Sequence, residues 1–220
     1  NNTMKKLNSI IAVTLLVFTF LSCNKEEISP NNHTSGELST KIVDFPYESL
    51  NEDEKSSLTF MREEEYLAYD VYVTLNNKWG VNIFKNISES ELTHTNAIMT
   101  LLNKYGLSDP ADNHSVGKFI DSGLQQLYNQ LVEKGKISQL EAFKVGATIE
   151  DLDIFDLNNW IAKVDNQDIK FVFQNLNKGS RNHLRSFYNQ IISNGGVYLA
   201  QFISQEELDI IKNSPRETGF

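Results

Sequence analysis

Residues Phe84, Ile87, Glu91, His94, Ile98, Leu101 and Tyr105 recur at alternating intervals of three and four, so one helical face carries them all. That face is apolar at both ends and ionisable in its middle. An unpaired carboxylate in a dry helix interface costs on the order of several kcal/mol. Either Glu91 and His94 find partners inside, or this face is not a core face.

Three further stretches repeat the pattern. Leu58, Met61, Glu65, Ala68, Tyr72 and Leu75 form a stripe broken at Glu65. Phe143, Gly146, Glu150, Asp153, Leu157, Trp160 and Val164 form one broken at Glu150 and Asp153. Ile169, Phe173, Leu176, Ser180, His183 and Phe187, followed by Gln190 or Ile191, form one broken at Ser180 and His183. Asn51 with Glu54, Ser138 with Glu141 and Ser204 with Glu207 have capping-pair spacing, and Gly106 suits a helix C-terminus. A shorter amphipathic segment spans Ser122 to Lys134, and only Tyr198 to Ile203 suggests extended chain. The expected fold is all-α, with four long helices and a long connection in the middle that carries a short extra helix. The domain is placed at 49–212, with a tail at 213–220.

In antiparallel packing the midpoints of such helices meet at one level. Glu65, Glu91, His94, Glu150, Asp153 and His183 would then converge. Four carboxylates cannot share a dry core as anions, because like charges a few ångströms apart force protonation. Two divalent cations would balance them, and carboxylate with imidazole suits iron or manganese, with zinc as a further alternative. The structural alternatives are an i,i+3 surface contact for Glu91 and His94, and a hydrogen-bonded core position for His183. Glu63 and Glu64 compete with Glu65 for its assignment and also read as a solvated run.

The pattern resembles the ferritin-like dinuclear carboxylate proteins of rubrerythrin and ferritin type. Their helices supply a Glu from each of two and Glu-x-x-His from each of the other two. Glu65, followed by Ala68 and Tyr72, matches one lone Glu, and Glu150 matches the other. Glu91-Leu92-Thr93-His94 is a complete Glu-x-x-His, whereas Ser180-Arg181-Asn182-His183 has Ser in place of Glu. Asp153 is the candidate replacement for that carboxylate. Met61 through Tyr72 and Lys178 through Leu184 also resemble a bacterial ferritin-like family of unassigned function. The resemblance covers about residues 50 to 210 and implies a ferritin-like four-helix bundle. Asp70, Tyr72, Ser180, Arg181 and Asn182 are expected to orient the ligands. His114, in the loop before Ser122, reads as a surface histidine.

The chain has 220 residues and a net charge of −9, without a basic run outside the extreme N-terminus, which argues against nucleic acid as a partner. Lys5 and Lys6 precede the apolar run Ile10 to Leu21, which as a helix spans about 18 Å, too short to cross a bilayer. It reads as a signal segment. Leu21-Ser22-Cys23 resembles the lipobox of bacterial lipoproteins, which implies acylation at Cys23, a signal peptide at 1–23 and an exported, membrane-anchored envelope protein. Residues 24–48, with His33, read as a flexible tether.

The expected function is that of a metal-binding protein with two iron or manganese ions per chain, acting on dioxygen or peroxide as oxidase, peroxidase or ferroxidase. The alternatives are metal capture without turnover and a metal-free structural bundle. A homodimer and an external reductant stay open. The sequence has no cysteine pair for an iron–sulfur centre and no dinucleotide glycine motif.

Overall fold

The structure is a computed structural model, and residues 35–218 are described; the expected signal segment with Cys23, and His33, lie outside them. The described chain is all-helical. It contains α1 (Ser35–Asp44), α2 (Glu52–Trp79), α3 (Asn82–Tyr105), α4 (Ser122–Gly135), α5 (Gln139–Ile161), α6 (Gln167–Ser193) and α7 (Gln205–Asn213).

Capping signals set the helix ends. Asn51 and Glu54 form a reciprocal capping box, each side chain accepting the other's backbone N–H at 2.9 Å. Ser138 and Ser204 cap α5 and α7 through the N–H groups of Glu141 and Glu207. Gly80 and Gly106 end α2 and α3 at φ of 64° and 65°, in the left-handed region that glycine tolerates. Glu54 has a second task. Its other oxygen accepts the N–H groups of Asp165 and Asn166, tying the start of α2 to the α5–α6 corner.

Pair contacts fix the register of the long helices. Along α2 and α3, Tyr72 packs on Phe84, Glu65 meets His94, and Arg62 reaches the Thr95 carbonyl. Along α5 and α6, Gly146 lies under Phe187, Asp153 meets Ser180, and Asn158 accepts from Asn177. Residue numbers rise in one helix as they fall in its partner, so both pairs are antiparallel. α2 also packs on α5, and α3 on α6.

The apolar interior forms two clusters. One gathers Val71, Tyr72, Leu75, Phe84, Phe143, Leu184 and Phe187. The other gathers Leu58, Met61, Ile98, Leu101, Leu157, Ile169 and Phe173. The stripe midpoints fall between them in sequence on all four helices.

Three expectations need correction. Part of the presumed tether is α1, because Leu38 and Ile42, one turn apart, are buried and the helix packs on α3. Polar neighbours hide so short an apolar pair in the sequence. Tyr198 to Ile203 contains no strand; Asp151 binds the Tyr198 hydroxyl at 2.7 Å and the N–H groups of Gln201 and Ile203 at 2.6 and 2.8 Å. His114 is not a free surface group: it bonds Asp70 at 3.0 Å and stacks on Tyr66 at 4.0 Å.

Replacing Glu54 with Ala removes half of the capping box and strands two backbone donors at the α5–α6 corner. A loss of about 2–3 kcal/mol is expected in urea unfolding. A loss under about 0.5 kcal/mol would show that the corner is held by other contacts.

Candidate metal centre

Glu65 from α2, Glu91 and His94 from α3, Glu150 from α5 and His183 from α6 meet between the two apolar clusters. Their ligand atoms form two groups, Glu65–Glu91–His94 and Glu91–Glu150–His183, each spanning no more than 4.8 Å between any two of its atoms. Glu91 belongs to both. Its Oε2 lies 2.8 Å from His94 Nδ1, and its Oε1 lies 2.8 Å from His183 Nδ1. Glu65 Oε2 completes one side at 3.1 Å from His94, and Glu150 Oε2 the other at 3.4 Å from His183. The two imidazoles are roughly parallel, with centroids 5.7 Å apart.

Some of these contacts are close without being hydrogen bonds. Glu91 Oε1 and His183 Nδ1 lack an aligned partner despite their separation, and Glu65 Oε1 and Asp153 Oδ1 have none. Buried polar atoms are normally satisfied. Beside the hydrogen-bonded Glu65–His94 pair, these atoms converge without an aligned partner, and a donor set of three carboxylates and two imidazoles fits a pair of divalent cations.

Electrostatics hold the group in a delicate protonation state. Burial raises Glu65 to about 7 against the downward pull of His94. Burial would raise Glu91 as well, but His94 and His183 outweigh it and hold this carboxylate well below its ordinary range. Burial opposes charge on both histidines, yet Glu91 with Glu65 lifts His94, and Glu91 with Glu150 lifts His183 to about 10.

The surroundings set the ring orientations. His183 Nε2 faces Ser90 Oγ at 3.1 Å, which leaves Nδ1 for the centre. A Cβ at Gly179 would stand 2.7 Å from two atoms of the His94 ring, so only glycine admits the ring there. The Tyr72 hydroxyl donates to Glu150 Oε1 at 2.5 Å. Burial and then Glu150 push its own pKa up, so the phenol keeps its proton.

The other candidates separate. Asp153 is buried and accepts from the Ser180 hydroxyl, outside both three-residue groups. Asp70 points away to His114 and the Gly117 N–H, and pins the loop before α4. Arg181 and Asn182 bind Glu217 in the C-terminal segment. Ser90 and Gly179 had no sequence signal, because neither type is a ligand and both sit beside residues that are. Glu63 and Glu64 are buried rather than solvated.

An all-helical domain with two carboxylate–imidazole groups sharing one glutamate is the class these features define. Residues 54–215 match the uncharacterized protein domain family DUF2202, and the chain belongs to that family. It is similar to the uncharacterized protein MJ0754 of the archaeon Methanocaldococcus jannaschii, with 53% identity over 178 residues, 81% of this chain and 96% of that protein. The crystal structure titled hypothetical protein MJ0754 from Methanococcus jannaschii superposes with a TM-score of 0.78, covering 79% of this chain and 99% of the other. That relative corrects the placement in a bacterial lipoprotein envelope: an archaeon has neither a periplasm nor such an envelope. No helix among the described residues is long and apolar enough to cross a membrane.

A histidine whose pKa is raised in the fold stabilises fully below its unfolded value, near 6.5, and loses that contribution as pH rises through about 10. The metal-free domain should therefore melt at falling temperatures across this window. At neutral pH, metal binding should expel the imidazole protons, measurable as a buffer-dependent heat in calorimetry. A binding heat independent of buffer would contradict protonated histidines. Gly179→Ala should weaken metal affinity about tenfold or more by displacing the His94 ring.

Proposed function

We propose that this protein is a ferritin-like four-helix bundle holding two iron or manganese ions, and that it reacts with dioxygen or peroxide. α2, α3, α5 and α6 would be the bundle, with the 106–138 connection as its long crossover. The observation that carries the reading is the division of Glu91, one oxygen toward each histidine. A carboxylate so divided is suited to bridging two ions.

Glu65 and His94 would complete one position, and Glu150 and His183 the other. Bound iron or manganese would supply one-electron chemistry toward a small oxidant, which amino-acid side chains lack. The chain's own contribution is placement and exclusion. Tyr72 fixes Glu150 and keeps its proton. Tyr72, Phe84 and Phe187 pack together beside Glu150 and limit water there. Three protein ligands on each side leave room for an exogenous molecule.

Ser180 supports a second reading. It stands where the resembling proteins carry a carboxylate, and it binds Asp153. A centre lacking that ligand would capture metal without turning over.

The purified chain should contain about two iron or manganese atoms. Glu91→Ala should lose both, while Glu65→Ala and Glu150→Ala should each lose chiefly one. Anaerobic loading with Fe(II) followed by dioxygen should oxidise iron at least about tenfold faster than buffer. Stoichiometric binding without faster oxidation would favour capture. If the chain takes up no metal under anaerobic loading, both readings fall.

A further inference from the structure

Two charged contacts that the metal centre does not use hold the connection before α4 against α2 and α3. Arg62 of α2, only 2% exposed, grips Asp109 through Nε and Nη2 at 3.0 and 2.8 Å and gives Nη1 to the Thr95 carbonyl. Farther along, buried Asp70 holds His114 at 3.0 Å and the Gly117 N–H at 2.6 Å. Between these anchors the chain is exposed at Asp112 and Asn113, and it walls a cleft of about 440 Å³ against the two helices. That is the size of a small-molecule site. Tyr66 and Tyr69 of α2 form a corner in it, their rings at 81° with centroids 6.2 Å apart. Leu92 of α3 and Val116 of the connection line it as well, 39% and 50% exposed.

The charges in the lining are unequal. Arg62 is its one permanent cation, and that charge is spent on Asp109. Asp112 adds an exposed carboxylate that no Lys or other Arg of the lining matches. With Nε2–H given to Asp70, the neutral His114 ring leaves Nδ1 as an acceptor. The aromatic corner already accepts a positive charge, since the Arg62 guanidinium lies 4.7 Å from the Tyr66 centroid.

We propose that this cleft binds a small organic cation, an amine carried on a planar apolar body. Asp112 counters the ammonium, and the body packs on the tyrosine corner and covers Leu92 and Val116. An anion finds no free counter-charge, because the guanidinium is buried behind Asp109. The two anchors fix the wall before the ligand arrives, which lowers the ordering cost of binding. The competing account is that the anchors only tie down the connection and the cleft takes no ligand. None of the lining residues belongs to the metal centre, so the inference stands apart from the dinuclear reading.

The test is calorimetric titration of the full chain with a series of probes sharing one phenol ring: tyramine as cation, 4-ethylphenol as neutral body and 3-(4-hydroxyphenyl)propionate as anion. Tyramine should saturate about one site per chain and bind about tenfold or more tightly than either of the others. Asp112→Asn should weaken tyramine about tenfold and leave 4-ethylphenol unchanged, whereas Tyr69→Ala should weaken both. Glu206→Gln, at an exposed position on α7, should bind as wild type does. No saturable heat with tyramine overturns the site. So does equal binding of the series, which removes the charge selection, or an equal loss in Glu206→Gln, which assigns the effect to net charge. Binding should persist with a chelator present; its loss there would move tyramine to the metal centre and overturn the cleft. Should Tyr69→Ala fail to fold, Asp112→Asn on the exposed stretch decides.

Discussion

Charge placed inside an apolar core is the constraint on which this structure depends. Glu91 is the ionised member, kept so by an imidazole on each side. Removing either partner of such a buried set leaves an uncompensated charge, which costs far more than a surface ion pair contributes. The layer therefore has to be assembled whole. Four helices must arrive at the same level, and the apolar clusters above and below can then close on it.

The rest of the chain serves that alignment from outside. Glu54 joins the first turn of α2 to the α5–α6 corner, and Asp151 anchors the stretch leading to α7. Glu63 accepts the backbone N–H groups of Ile120 and Asp121, while Asp70 takes that of Gly117, so α2 holds the entry to α4 at two points. Each of these carboxylates is buried, and each replaces lost water with backbone donors. The contrast with Asp153 is informative, since its Oδ1 has no donor while its other oxygen accepts only from the Ser180 hydroxyl.

Much of this was legible in the sequence because the stripes are long. Six or seven positions at 3.6-residue spacing fix a buried face, and an ionisable break in such a face cannot be casual. The long helices and the meeting of Glu65, Glu91, His94, Glu150 and His183 follow from that pattern. What escaped has a local cause. α1 offers only Leu38 and Ile42 as apolar anchors, too few for a period. Asp70 reads as a helper of the centre by its position near Tyr72, but two residues is about half a turn, and it faces the 107–121 loop instead. His114 sits in an irregular loop, where spacing carries no information about which helix the ring will meet. Glu63 and Glu64 looked solvated because acidic runs usually are; here α2 is covered on several sides at once.

That covering has an evolutionary consequence. Adjacent helical residues point about 100° apart, and Glu63, Glu64 and Glu65 address the loop before α4, helix α5 and the carboxylate–imidazole layer in turn. An insertion or deletion of one residue upstream in α2 would rotate all three away from their targets together. Three unrelated neighbours thus check the same reading frame of the helix. Length variation among descendants of this gene should be confined to the connecting segments, with α2 inherited as a block of fixed count.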